Sequence, residues 1–233
     1  MLTLVVFLGN PGAEYSRNRH NVGRMLAENL SFYGDLVWKK KFRSLVASLT
    51  RKDIAGRETL CSPEESSRCH FLIPETYMNL SGLSVQAASS FYDISPNKIL
   101  AVHDELELPL GYLSLKFSGG LGGHNGLRSI KESLGSAGSR ESSGFRGTAD
   151  FWRLRIGIGR PQGRLPGEGG QPVKGVHEGG DGRIAQWVLS NFDSGETELV
   201  NAVLKEGALF LVRALLEEPE KLLPEWKKKK IEL

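Results

Sequence analysis

An apolar run over residues 2–8 ends in Gly9-Asn10-Pro11-Gly12 and leads, through Tyr15 and Arg19-His20-Asn21, into a helical pattern. The run reads as a buried strand. Gly9, Pro11 and Gly12 force a turn directly after it. Strand, tight turn and helix in that order place Asn10, Tyr15 and His20 at a strand end and a helix start. There the polar groups of an open α/β sheet meet a ligand. A plain connection has no need of Asn-Pro, a tyrosine, two arginines and a histidine in so short a stretch.

The alternation continues along the chain. Strands are predicted over 2–8, 42–50, 58–61, 70–73, 99–103, 112–117 and 151–158. Helices are predicted over 21–33, 81–92, 125–134, 195–216 and 218–229. In the first helix Val22, Met25, Leu26 and Leu30 share one face. The pattern argues for an α/β fold: a twisted, mixed, partly parallel sheet flanked by helices. A length of 233 residues suits one large domain or two small ones; a single domain over 1–233 is the expectation. Residues 135–150 are rich in Ser, Gly and Arg, and residues 160–183 are rich in Gly. Both are expected to be flexible insertions, because neither buries enough surface to offset its ordering entropy. The second lacks the Lys-Ser/Thr ending and following helix of a phosphate-binding loop.

The formal charge of +3 permits an acidic partner but does not demand one. Any basic surface has to be local, and Lys39-Lys40-Lys41-Arg43 and the run from Lys227 to Lys230 are the candidates, each otherwise a solvated face. Cys61 and Cys69 suggest neither a disulfide framework nor a zinc site. No secretory signal pattern and no membrane-spanning apolar stretch is visible, so a cytoplasmic protein is expected.

Four polar segments follow predicted strands or join a strand to a helix: 10–20, 74–82, 103–109 and 119–126. In a parallel-rich sheet such ends converge on one rim. His20 and Asp104 then make an acid/base pair, the imidazole taking a proton from water and the carboxylate fixing its tautomer. Spacing alone does not pair them, and a helix-capping His20 with an ordinary turn Asp104 is the competing reading. Asn10, Asn79 and Asn125 each offer an amide donor and acceptor beside a turn, which suits a carbonyl- and hydroxyl-rich substrate. Tyr15 and Tyr77 could stack on a base or ribose, or simply pack. No G-x-S-x-G nucleophile elbow is present, and residues 119–126 fail the dinucleotide fingerprint. No cofactor is expected. No metal is expected either, for want of H-x-x-x-H or H-E-x-x-H spacing, although a metal-dependent hydrolase using His20, Asp104 and His124 is a rival.

These segments, in this order, resemble bacterial-type peptidyl-tRNA hydrolase. The matching stretches are Phe7-Leu8-Gly9-Asn10-Pro11-Gly12, Tyr15, Arg19-His20-Asn21-Val22-Gly23, Tyr77-Met78-Asn79-Leu80-Ser81-Gly82, His103-Asp104-Glu105-Leu106, Gly122-Gly123-His124-Asn125-Gly126 and Leu154-Arg155-Ile156-Gly157-Ile158-Gly159. The resemblance covers residues 2–134, 151–161 and 184–216. It implies a monomeric α/β fold with a central mixed sheet, and hydrolysis of the ester joining a peptide to the 3′ ribose of tRNA. It implies that His20 is the general base, Asp104 the carboxylate that holds it, and Asn10 the residue that separates N-blocked substrates from free aminoacyl-tRNA. Tyr15, Tyr77, Met78, Asn79 and Asn125 match substrate-binding positions, and Lys116 and Arg155 match basic positions that meet tRNA phosphates. Asn18, Leu121 and Ser114 depart from the family pattern, the last where some members carry a second lysine. A non-catalytic RNA-binding relative of the same fold is the alternative.

Overall fold

A computed structural model describes residues 1–56, 66–137, 149–161 and 180–233. Its strands are β1 (Leu4–Phe7), β2 (Lys39–Lys41), β3 (Ser44–Thr50), β4 (Arg68–Pro74), β5 (Ile99–Glu105), β6 (Tyr112–Phe117), β7 (Trp152–Gly157) and β8 (Lys229–Lys230). Its helices are α1 (Val22–Ala27), α2 (Arg51–Ala55), α3 (Ser81–Tyr92), α4 (Asn125–Ala137), α5 (Gly180–Val188), α6 (Thr197–Leu216) and α7 (Pro219–Trp226). The strands form one sheet in the order β2-β3-β4-β1-β5-β7-β6-β8. β4, β1, β5 and β7 run parallel, and the remaining pairings are antiparallel.

β1 is buried along its whole length, as expected of a parallel strand covered on both faces. Val5 and Phe7 join α1, α6 and α7 in one core, while Leu4 and Val6 join α3 and α4 in the other. The chain runs from β1 to β4 on one side and then to β5 on the other. That reversal opens a crevice at the carboxyl ends of β1, β4 and β5, where a ligand binds in folds of this kind.

The crevice is closed below by the approach of α1. A Cβ at Gly23 would overlap the carbonyl oxygen of Val102 and come within 2.9 Å of that of Leu8. The Leu8 carbonyl also accepts the Arg24 N–H at 3.1 Å. Only a glycine lets the helix start sit this close to the ends of β1 and β5.

Several elements differ from the sequence expectation. The strand predicted over 42–50 is a hairpin, with β2 and β3 joined by Phe42 and Arg43 at φ of 55° and 53°. Such a turn normally carries Asn or Gly, so nothing in the sequence announced it. It is held by the Arg43 carbonyl, which accepts the Glu75 N–H at 2.9 Å and the Ser84 hydroxyl at 3.2 Å. The helix predicted over 21–33 ends at Ala27, and Leu30, the last residue of its predicted face, is buried beyond the helix end. α2, with its Thr50–Asp53 capping box, was not anticipated. Residues 135–137 belong to α4 and residues 180–183 to α5, at the edges of the two stretches expected to be insertions. The rest of the predicted insertions, except residues 149–150 and 160–161, and the strand predicted over 58–61 lie outside the described residues. The last predicted helix stops at Trp226, and Lys229–Lys230 pair with β6 instead.

Replacing Gly23 with Ala should destabilise the chain by about 2 kcal/mol, because the added methyl pushes α1 off two strand ends. Urea unfolding of the variant measures this; a midpoint equal to wild type would mean that the approach is not tight.

Candidate active site

Four short stretches build the site. β5 carries Asp104, 3% exposed, at its end. The turn after β1 carries Asn10. A 3₁₀ turn over Arg19–Asn21 carries His20, and His124 stands immediately before α4. His20 Nδ1 lies 2.7 Å from Asp104 Oδ1, and His124 Nε2 lies 2.9 Å from the same oxygen. The two imidazole centroids are 4.9 Å apart.

The hydrogen bonds decide which nitrogens carry protons. His124 Nδ1 accepts the backbone N–H groups of Gly126 and Leu127 at 3.1 and 3.3 Å, capping α4. Its proton is therefore on Nε2, which donates to Asp104. His20 likewise donates from Nδ1, which leaves its Nε2 with no hydrogen-bond partner among the described residues. Burial alone raises the Asp104 carboxyl, but the electrostatic attraction and hydrogen bonds of the two imidazole N–H groups outweigh it and hold the group well below the usual carboxylate range.

Asn10 is fixed on both sides. Its backbone N–H donates to Asn21 Oδ1 at 2.9 Å, and Asn21 Nδ2 donates back to the Asn10 carbonyl at 2.9 Å. Its side-chain oxygen accepts the Met78 N–H at 2.8 Å. The amide is thereby oriented with its NH₂ group turned away from Met78. Asn21 was not singled out from sequence, nor was His124 as a partner of Asp104; a His directly before a helix that opens Asn-Gly was the available signal.

His20, Asp104 and His124 are also the one group among the described residues with donor atoms close enough to hold a metal, all within 4.8 Å of one another. Both nitrogen–oxygen separations are hydrogen-bond distances, however, and a bridging ion would have to break both contacts.

The family model for peptidyl-tRNA hydrolase matches residues 4–232. The chain belongs to the peptidyl-tRNA hydrolase family. It is 46% identical to a peptidyl-tRNA hydrolase of Treponema pallidum over 195 residues, covering 84% of this chain and 78% of that one. It is 39% identical to one from Rhodospirillum centenum over 225 residues, covering 94% and 78%. The crystal structure of the peptidyl-tRNA hydrolase from Acinetobacter baumannii matches it with a TM-score of 0.73 at 29% identity, over 98% of this chain and 96% of that chain.

In this member of the peptidyl-tRNA hydrolase family the His20 turn is anchored from the far end of the chain. Arg19 is fully buried and makes a two-pronged ion pair with Glu196, at 3.1 and 2.6 Å. Its guanidinium carbon lies 3.7 Å from the centroid of the Trp187 ring, and its backbone N–H donates to the Ser190 carbonyl at 2.9 Å. Beneath the site His103 is buried, donates from Nδ1 to the Asp104 carbonyl at 2.7 Å, and meets His124 edge-on at 5.0 Å.

The other residues singled out from sequence fall around this centre. Met78 is buried against Asn10, while Tyr77, Asn79 and Asn125 are exposed and Tyr15 half-buried. Asn125 Oδ1 accepts from Arg128 at 3.3 Å. Lys116 lies on β6. Arg155 lies on β7, with its guanidinium turned onto Ser114 Oγ at 2.7 Å and Glu105 at 3.5 Å.

Two histidines are held neutral. Burial pushes His103 well below its ordinary value of 6.5, and burial together with nearby Arg68 brings His70 down to about 4. Both sites refuse a proton that the unfolded chain accepts below pH 6.5. Their contribution to stability is complete above that pH and is lost as pH falls. At pH 5 the loss from His70 should be about 1–2 kcal/mol. Urea unfolding at pH 7 and pH 5 should show it, and His70→Gln should flatten the difference. A difference as large in the variant as in wild type would contradict this assignment.

Proposed function

We propose that this chain hydrolyses the ester between a peptide and the 3′ ribose of tRNA, with His20 as the base that activates water. The observation that carries the reading is the bare Nε2 of His20, set by the Nδ1 contact to Asp104. Asp104 holds the imidazole in the tautomer whose lone pair is on Nε2 and stabilises the imidazolium that forms. His20 Nε2 removes a proton from water, the water oxygen attacks the ester carbonyl, and the tetrahedral intermediate expels the ribose oxygen, which takes that proton back from the His20 imidazolium. No side-chain nucleophile is required, and a ribose is a better leaving group than an amine. Amide donors at the rim steady the oxyanion; such donors are worth about 3–4 kcal/mol in other hydrolases.

Tyr15, Tyr77, Met78, Asn79 and Asn125 line the approach for the 3′ end of the substrate. Lys116 and Arg155 meet phosphates further along. In this reading the chain is one domain, works as a monomer and acts in the cytoplasm.

His20→Ala should lower kcat on N-acetyl-aminoacyl-tRNA by roughly 10²–10⁴, as loss of a general base does. Asp104→Asn should cost less, since it leaves an imidazole in place. The assay is run after exhaustive chelation. Wild-type turnover that survives chelation and collapses in His20→Ala fits the proposal. Turnover lost on chelation favours a metal held by His20, Asp104 and His124, and no turnover at all favours a non-catalytic RNA-binding protein.

Asn10 supplies discrimination. Its NH₂ group can donate to the carbonyl of an acylated α-nitrogen. A free aminoacyl group presents only an ammonium, which donates and must be desolvated. Asn10→Ala should narrow the ratio of kcat/KM between blocked and free aminoacyl-tRNA. Asn10→Asp should narrow it further by attracting the ammonium. An unchanged ratio in both variants would sink this role.

A further inference from the structure

The mechanism leaves the run Lys227-Lys228-Lys229-Lys230 unused, and the fold puts it in a telling place. β8 pairs with β6 so that Lys230 stands opposite Tyr112 and Lys229 opposite Leu113. Leu113 and Leu115 point into the core, so Tyr112, Ser114 and Lys116 share the other face. Lys230 joins them there, and Lys228 Nζ lies 5.2 Å from the Tyr112 ring. Ser114 ties the set together: its hydroxyl donates to the Lys227 carbonyl at 2.5 Å and accepts from Arg155 Nη2 at 2.7 Å. The same face continues through Arg155 to Glu105, the neighbour of Asp104. The lysines are therefore linked by a chain of contacts to the rim of the candidate active site.

The acids nearby are few. Lys230 pairs with Glu232 at 3.1 Å and Lys229 with Glu225 at 3.6 Å, both exposed pairs of small net value. Lys228 and Lys116 have no acidic partner among the described residues. Arg155 is turned inward onto Glu105 and Ser114, so the extended lysines are the cations of this face best able to reach an anion outside it. The other basic cluster, Lys39-Lys40-Lys41, sits on β2 at the opposite edge of the sheet.

We propose that Lys228 and Lys230, carried by the last strand onto the same face of the sheet as Lys116 and Arg155, form a surface that grips the phosphate backbone of the tRNA. The proposal rests on the reading of peptidyl-tRNA as substrate. A duplex stem placed with its 3′ end at His20 extends away from the rim, and a row of lysines leading away from that rim follows it. Contacts of this kind neutralise phosphates and release counterions, so they appear in the salt dependence of binding.

The test is binding of deacylated tRNA to the full chain across a salt series, followed by fluorescence anisotropy. The double variant Lys228→Gln/Lys230→Gln keeps polar side chains, with shorter stems, and removes both charges. It should reduce the slope of log K against log salt by about 1.4–1.8, two contacts' worth. It should also raise KM for peptidyl-tRNA about tenfold at low salt. Lys228→Arg/Lys230→Arg should restore the slope, which a merely structural role for the lysine stems would not require. Lys39→Gln/Lys40→Gln should leave the slope as in wild type. A wild-type slope in the Lys228/Lys230 glutamine variant, or a loss confined to the Lys39/Lys40 variant, would overturn the proposal. A wild-type chain that shows the predicted slopes yet never cleaves peptidyl-tRNA would support this surface and overturn the hydrolase reading instead.

Discussion

One carboxylate oxygen organises the site. Asp104 Oδ1 accepts a proton donor from His20 and another from His124, and the protein keeps the group ionised despite its burial. Everything that gives His20 a free nitrogen follows from this. If Asp104 were protonated or displaced, His20 would lose the acceptor that fixes its tautomer. His124 would lose the partner that its helix-capping role leaves for Nε2. The pair of histidines is thus not two independent bases. One is locked as a donor by the start of α4, and the other is left with a lone pair.

The fold serves this arrangement by bringing distant segments to one edge. Parallel pairing of β1 with both β4 and β5 aligns their carboxyl ends, which places Asn10, the Met78 amide and Asp104 side by side. Gly23 allows the first helix to start against those ends. Arg19 then ties the His20 turn to residues 187–196, where the buried guanidinium meets the half-buried Glu196 and two aromatic rings. A buried guanidinium held this way fixes geometry more surely than it adds net stability.

Much of this was legible in the sequence, and the reasons for the rest are specific. The central strands and the helix over residues 81–92 follow from apolar periodicity. Strand ends followed by polar clusters pointed to Asn10, His20 and Asp104. Periodicity failed where backbone conformation overrode composition. The Phe42-Arg43 turn carries no turn residue, and two lysines form an edge strand that no apolar pattern marks. The Arg19–Glu196 pair joins residues 177 positions apart, a contact that no local signal encodes. His124 was visible only as a possible ligand, because its two hydrogen-bonding roles depend on the exact start of α4.

The central claim is that water, activated by His20, attacks the ester directly. Acid quenching of the chain during a single turnover of N-acetyl-aminoacyl-tRNA, followed by the intact mass of the protein, tests it most directly. The account predicts the mass of the free chain at every time point while peptide is released. A transient increase equal to the mass of the acyl group would reveal a covalent intermediate and contradict it.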